Sequence, residues 1–154
     1  MRARDALRSG AGLAKLRAVV AAQGGDVAQI DDPTRLPQAP VREMLVAPRA
    51  GYIAAIDAEE VGRASVRLGA GRARKGESID PAVGFVLRAK VGDRVADGQP
   101  LVEIHARSQP AAASIRDQLL AAYTWSDTPV ASTSLLLGTV ARTTPSRRRS
   151  TRRS

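Results

Sequence analysis

The sequence predicts an α+β fold, and three observations support that prediction. The predicted elements run helix, strands, helix, strands, helix, strand, without the regular strand–helix alternation of a parallel sheet. The 154 residues fit a single domain of ordinary size. Apolar residues make up 44% of the chain and aromatic residues only 3%, so the core must be built from valine, leucine, isoleucine and alanine.

The first predicted element is a helix over residues 5–22. Its aliphatic side chains recur at helical spacing: Leu13, Leu16, Val19 and Val20. Gly24 and Gly25 provide the end of the helix, because glycine readily takes the conformation that follows a last turn. Three prolines in residues 31–40 predict a connector without a long regular element.

Short apolar runs predict the strands. Residues 44–47 and 52–56 are two such runs on either side of a proline- and glycine-containing segment, which predicts two strands joined by a tight turn. Further strands are predicted at 85–89 and 100–104, and a closing strand at 134–140.

Two more helices are predicted. Asp57 is placed to accept a hydrogen bond from the amide of Glu60 while Glu60 reaches back, which is a capping-box arrangement. The helix that follows has one buried face, formed by Val61, Ala64, Ser65 and Leu68. Gly69 is placed to end this helix, and a last helix spans roughly 110–123.

Composition excludes several classes of site. The chain has no cysteine, which excludes disulfides, thiolate metal sites and cysteine nucleophiles. His105 is its one histidine, so a multi-histidine metal site is excluded, and we predict a surface histidine at a strand end. No apolar run approaches the roughly 18 residues of a membrane span. The first residues lead into no secretory signal, so a cytoplasmic protein is expected.

The acidic pairs of the sequence favour structural roles over catalysis. Asp31 and Asp32 lie in the proline-rich connector, and Glu59 and Glu60 lie in a first helical turn, where carboxylates suit the helix dipole. We therefore predict no general acid or base at either pair.

The net charge of +9 is unevenly distributed. Six arginines follow residue 141, whereas residues 1–141 carry 18 basic and 15 acidic groups. Residues 141–154 lack a core-forming pattern and are predicted to be a disordered tail rich in arginine, serine and threonine. Such a tail would bind nucleic acid weakly and without sequence preference, which is one alternative function.

Residues 69–84 form a glycine-rich basic segment. A dinucleotide fingerprint would need glycine where Arg74 stands, and Lys75 is followed by Gly76 and Glu77 and not by the serine or threonine of a Walker A loop. Two interpretations stay open: a solvated connector, or a contact to an anionic ligand through Arg72, Arg74 or Lys75.

Residues 83–105 resemble half of a biotinyl- or lipoyl-type barrel. The turn formers Gly92 and Gly98 lie among regularly spaced apolar residues, as in that pattern. A carrier of this type needs a lysine on the hairpin that follows, and no lysine follows Lys90. We therefore expect no swinging-arm cofactor.

A more specific resemblance covers about two thirds of the chain. Three stretches carry it. The first holds Leu-Arg-Ser-Gly at 7–10 and Val-Ala-Ala-Gln-Gly-Gly-Asp at 20–26, and the second is Ala-Pro-Arg-Ala-Gly-Tyr-Ile at 47–53. The third runs from Leu-Gly-Ala-Gly-Arg-Ala-Arg-Lys at 68–75 to Gly-Asp-Arg-Val-Ala-Asp-Gly-Gln-Pro-Leu at 92–101. In this combination and order, the stretches resemble the C-terminal portion of thymidine phosphorylase and pyrimidine-nucleoside phosphorylase.

The resemblance implies a fold and a reaction. It implies the hammerhead-type C-terminal α+β domain of that family, a mixed or antiparallel sheet with flanking helices, at residues 31–140. Residues 1–30 would be the terminal helix of a larger phosphorylase α/β domain. The family reaction uses inorganic phosphate as co-substrate and needs no cofactor, but the family's phosphate and pyrimidine motifs have no match in this chain. The expected site contribution is therefore a substrate-proximal loop carrying Arg72, Arg74 and Lys75.

The same resemblance suggests partners. We expect a gene fragment that works with the N-terminal catalytic portion of a phosphorylase and is not catalytic alone. An independent small protein derived from the domain is the alternative. The exposed helix 5–22 would then serve as an interaction surface, including for self-association.

Overall fold

The computed structural model describes residues 2–72, 74–131 and 136–140, and the fold is α+β as predicted. The α-helices are α1 (Arg2–Arg8), α2 (Ala11–Ala22), α3 (Ala28–Asp31), α4 (Ala58–Leu68) and α5 (Gln109–Ala121). The strands are β1 (Val41–Val46), β2 (Gly51–Ile56), β3 (Gly84–Leu87), β4 (Arg94–Val95), β5 (Pro100–Ala106) and β6 (Tyr123–Ser126). A 3-10 turn at Pro33–Arg35 lies in the predicted connector.

The strands form two three-stranded antiparallel sheets. Sheet A has the order β1-β5-β3, and sheet B has the order β4-β2-β6. In sheet A, β5 is the central strand, and its inward residues Val102, Ile104 and Ala106 are fully buried. Helix α5 packs on β1 and β5, and α4 packs on α5, so the inner face of sheet A is covered.

The first two strands are joined by a tight turn, as predicted, but they do not pair with each other. Both strands exist, but β1 pairs with β5 and β2 pairs with β4 and β6, so the tight turn between them joins two sheets. The short apolar runs could not reveal this, because the partners lie about 40 to 75 residues further along the chain. Strand β4, which has two residues, and strand β6 were not predicted at all.

Two similar turns connect β3 to β5 and hold the sheets together. In each turn the third residue is a glycine with positive φ, 93° at Gly92 and 75° at Gly98, as a type II turn requires. The amide of Gly92 donates to Ile53 O of sheet B at 2.9 Å. The amide of Gly98 donates to Ala47 O, directly after β1 of sheet A, at the same distance. The turn formers noted in the sequence therefore bridge the two sheets.

The N-terminal helix is interrupted, which corrects the single helix predicted over residues 5–22. Gly10 has a φ of 77° and separates α1 from α2, because a helix cannot continue through the left-handed conformation. The predicted end is confirmed: Gly24 has a φ of 74°, and Gly25 donates to Val20 O at 2.9 Å. The main contact of α1 and α2 is with each other, and α2 buries none of its residues.

Helix α4 begins and ends where predicted, but its cap is only half of a capping box. The Asp57 carboxylate accepts hydrogen bonds from the amides of Glu59 and Glu60 at 3.0 and 3.1 Å. The side chain of Glu60 does not reach back, because the Asp57 amide instead donates to Ala122 O at 2.8 Å. Gly69 ends the helix with a φ of 107°.

Helix α5 and the residues after it depart from the prediction. Helix α5 ends at Ala121, two residues earlier than predicted, because Tyr123 begins β6 and pairs with Ile56. Burial raises the pKa of Tyr123 to about 12, and its hydroxyl donates to Leu101 O at 3.5 Å. Residues 136–140 form no strand, and the remaining residues of the predicted strand, 134 and 135, lie outside the described residues, as does the tail 141–154.

Strand β6 carries the chain's one tryptophan. The guanidinium of Arg49 lies over the Trp125 ring, 5.6 Å from its centroid, which is within the range of a cation–π contact. Arg49 also pairs with Asp127, with its Nη1 2.6 Å from Oδ1. This contact joins the turn before β2 to the residue after β6.

Replacing Leu119 by alanine tests the position of the core. Leu119 on α5 is fully buried, so Leu119→Ala should lower the free energy of unfolding by about 2–5 kcal/mol through lost burial and the cavity left behind. The matched control is Leu13→Ala on α2, where the side chain is 54% exposed and the loss should be below about 1 kcal/mol. Urea unfolding measures both, and equal losses would contradict the described packing.

Candidate functional site

The basic segment forms a closed surface loop. Within this segment residues 69 and 80 meet, since the amide of Asp80 donates to Gly69 O at 3.0 Å. A loop of this length whose ends lie together has the form of an Ω-loop, a type of segment that is often functional. The name cation loop is used below for residues 69–80.

The first limb of the cation loop packs on α4. Gly69 takes a φ of 107°, and the amide of Ala70 donates to Ser65 O at 2.9 Å. A Cβ at Gly71 would lie only 2.7 Å from Val66 Cγ2, so no larger residue fits this position without movement. The glycines noted in the sequence therefore serve the close approach of the loop to the helix.

The structure places Arg72, Arg74 and Lys75 in the tip of the cation loop, all with exposed side chains. The amide of Arg74 donates to a Glu77 carboxylate oxygen at 3.0 Å, and the Glu77 amide donates to Arg74 O at 3.3 Å. These bonds fold the tip into a turn. Three exposed cations on a folded loop form a surface that suits an anionic ligand.

The far limb is fixed by two residues that sequence reasoning did not select. The Nε of Arg107, the residue after β5, donates to Asp80 Oδ2 at 2.6 Å. The Arg107 hydrogen bond is the main reason why the pKa of Asp80 lies below its ordinary value, with a smaller contribution from the Ala82 amide. No local pattern marks this pair, because 27 residues separate its members.

His105 lies within β5 and is half-buried, whereas a surface position at a strand end was predicted. Its Nε2 is 3.0 Å from Glu103 Oε1, and Arg88 pairs with the other oxygen of Glu103. Glu103 is only 7% exposed at the centre of the outer face of sheet A. The hydrogen bond from Arg88, followed by that from His105, lowers the pKa of Glu103 although burial opposes the shift.

The outer face also has a shallow depression of about 230 Å³ beside His105, lined by residues 81–86. The apolar side chains of Met44 and Val86 flank Glu103 on the neighbouring strands. The ion pair with Arg88 and the hydrogen bond with His105 thus compensate a carboxylate that would otherwise be costly to cover.

The acidic pairs have the structural roles that were predicted. Asp31 pairs with Arg17 of α2, and Asp32 caps the 3-10 turn by accepting from the Thr34 amide. Glu59 and Glu60 both pair with Arg63 one turn along α4, and Gln118 of α5 donates to Glu60 at 3.0 Å.

Within the part of the chain that the structure describes, no three histidine, cysteine, aspartate or glutamate side chains form a group that could hold a metal ion. Among the described helices, the longest of which has 13 residues, none combines the length and hydropathy that a membrane crossing needs.

Comparison with known proteins identifies the domain. Residues 52–126 match the family model of the pyrimidine nucleoside phosphorylase C-terminal domain. This part of the chain belongs to that family. The chain is 47% identical over 104 residues to the pyrimidine-nucleoside phosphorylase of Geobacillus stearothermophilus. It is 44% identical over 105 residues to those of Bacillus subtilis strain 168 and Staphylococcus aureus strain USA300.

This C-terminal domain corresponds to only part of the length of each related enzyme. The matched region covers 68% of this chain and 24% of each of the three relatives, so the chain spans about a quarter of their length. The family match contains the cation loop, Arg107 and all of β5, whereas α1 and α2 precede it.

The Glu103 network makes a specific contribution to acid stability. Because the folded-state pKa of Glu103 is lowered from 4.5, its stabilisation is present above that value and is lost as the pH falls through the lowered value. The unfolding free energy of the unsubstituted chain should therefore fall more steeply below pH 4.5 than that of Glu103→Gln. Urea unfolding at several pH values measures the slopes, and parallel slopes would contradict the role of the network.

Proposed function

We propose that this chain provides the C-terminal domain of a pyrimidine-nucleoside phosphorylase and acts together with the N-terminal catalytic portion of such an enzyme. In the reaction, a phosphate oxygen forms a bond to the anomeric carbon of a pyrimidine nucleoside while the bond from that carbon to the base nitrogen breaks. The base leaves as an anion and takes up a proton, giving free base and pentose 1-phosphate. In this proposal the groups that perform these steps belong to the catalytic portion.

The observation that carries the proposal is the extended match to enzymes of this name. The identity is 44–47% over more than 100 residues, which is longer than the 52–126 segment that the family model matches. The matched quarter holds a scaffold with one basic loop, which agrees with a role beside a catalytic centre.

The exposed apolar side chains of α1 and α2 support a protein partner for this chain. Their aliphatic side chains stay exposed: Leu7 at 79%, Leu13 at 54%, Leu16 at 48% and Val19 at 41%. A contiguous apolar surface of this kind in a folded chain usually marks a protein contact. We propose that the catalytic portion covers this surface, because residues 1–30 would then belong with its α/β domain.

The cation loop is the second feature of the chain that we connect with the reaction. We propose that Arg72, Arg74 and Lys75 lie near the nucleoside cleft of the assembled enzyme and attract phosphate. Their exposure on a loop whose ends are closed fits this role.

Co-expression tests the proposed function. The partner is the Geobacillus stearothermophilus enzyme shortened by the quarter that matches this chain. Release of free base from uridine or thymidine with inorganic phosphate should be absent for either piece alone and present for the pair, because the chain completes the fold. Activity in the purified chain alone, or no activity in a pair that associates, would contradict the proposal.

A carboxylate introduced among the exposed apolar side chains of α2 should weaken association with the catalytic portion. Leu16→Glu places a carboxylate where the partner is expected, so association with the catalytic portion should weaken by at least about tenfold. The control is Ala18→Glu, an exposed position on the opposite side of the same helix. Co-purification and titration of activity measure both, and an equal effect of the two variants would place the contact elsewhere.

Removing the positive charges of the cation loop should weaken the use of phosphate by the assembled enzyme. Combined substitution of Arg72, Arg74 and Lys75 by alanine should raise the KM for phosphate in the assembled enzyme by about tenfold, since charge-assisted contacts are lost. Arg63→Ala on α4 is the control, because Arg63 is exposed and pairs only within its own helix. An unchanged KM would leave the loop as a connector.

A further inference from the structure

The two limbs of the cation loop converge on one guanidinium group. Arg107 donates from Nε to Asp80 Oδ2 at the end of the loop. At the start of the loop, a Cβ built on Gly69 would lie 3.7 Å from Nη2 and 3.8 Å from Cζ of the same arginine. Arg107 is therefore bonded to one end of the loop and lies close to the other, although it comes from the junction of β5 and α5.

The carboxylate of Asp80 is fully used in this arrangement. Oδ2 accepts from Arg107 at 2.6 Å, and Oδ1 accepts from the Ala82 amide at 2.9 Å. The Asp80 amide also closes the loop through Gly69 O. The Asp80 side chain is 19% exposed, whereas both partners in the Arg63 pairs are more exposed.

These contacts differ from an ordinary surface ion pair. An isolated exposed pair contributes little, because solvent screens it and both side chains must be ordered. Here Asp80 is already ordered by two backbone hydrogen bonds: its carboxylate accepts one from the Ala82 amide, and its own amide donates the other to Gly69 O. The lowered pKa of Asp80 agrees with this geometry, since the hydrogen bond from Arg107 is its largest cause.

We propose that Arg107 and Asp80 are positioning residues that clasp the two ends of the cation loop and so fix where its three cations are presented. This inference rests on the proposed function for its catalytic consequence, but the clasp itself belongs to the chain alone. Because β5 is the buried central strand, Arg107 ties the loop to the most rigid part of the domain.

Hydrogen exchange on the isolated chain tests the clasp. Asp80→Asn and Arg107→Gln should each speed exchange of the residue-80 amide and of the loop amides by about tenfold, since a charge-assisted bond is lost. Exchange at β5 should stay slow, which shows that the variants are folded. The swapped pair Asp80→Arg with Arg107→Asp should recover part of the protection, and Arg63→Gln is the control ion pair.

The assembled enzyme tests the consequence. Arg107→Gln should raise the KM for phosphate about fivefold and leave kcat nearly unchanged, with partial recovery in Arg107→Lys. Unchanged exchange in both single variants would overturn the clasp. Faster exchange with an unchanged KM in an active assembly would overturn the positioning role. If the unsubstituted pair of proteins assembles without activity, the proposed function fails and the exchange result alone decides the clasp.

Discussion

The burial of β5 is the constraint on which the rest of the domain depends. A central strand with fully buried residues must have both edges hydrogen-bonded and its inner face covered, because an unpaired buried amide is costly. Strands β1 and β3 satisfy its edges, and α5 covers its inner face. The two turns before β5 link the sheets, since Gly92 bonds Ile53 of sheet B and Gly98 bonds Ala47 beside sheet A, so the position of sheet B also follows from this strand.

The sequence predicted elements better than their pairing. Helix α4, helix α5 and strands β3 and β5 appear close to their predicted positions, because caps, glycine stops and apolar spacing are local signals. The strands that pair with β1 and β2 were not predicted, because they are distant in sequence. Strand β6 had a usable signal in its aromatic and β-branched residues, but it follows α5 so closely that helical periodicity masked it.

Some residues of the candidate site could also be predicted from the sequence, and others could not. The cations of the loop could be found from composition, since charges between glycines resist burial. Asp80 and Arg107 could not, because an ion pair across 27 residues leaves no pattern in either segment. Glu103 was hidden for another reason: a glutamate inside an apolar strand reads as an exposed position, whereas Arg88 and His105 allow it to be covered.

The contact of Arg49 with Trp125 gives the domain a built-in optical reporter. Trp125 is the only tryptophan, so excitation of indole reads out one ring at the β2–β6 edge and nothing else. A guanidinium above that ring, itself held by Asp127, makes its emission sensitive to whether the last strand stays attached. If β6 detaches before the rest of the domain unfolds, the emission spectrum of Trp125 should change before the helical circular dichroism signal is lost.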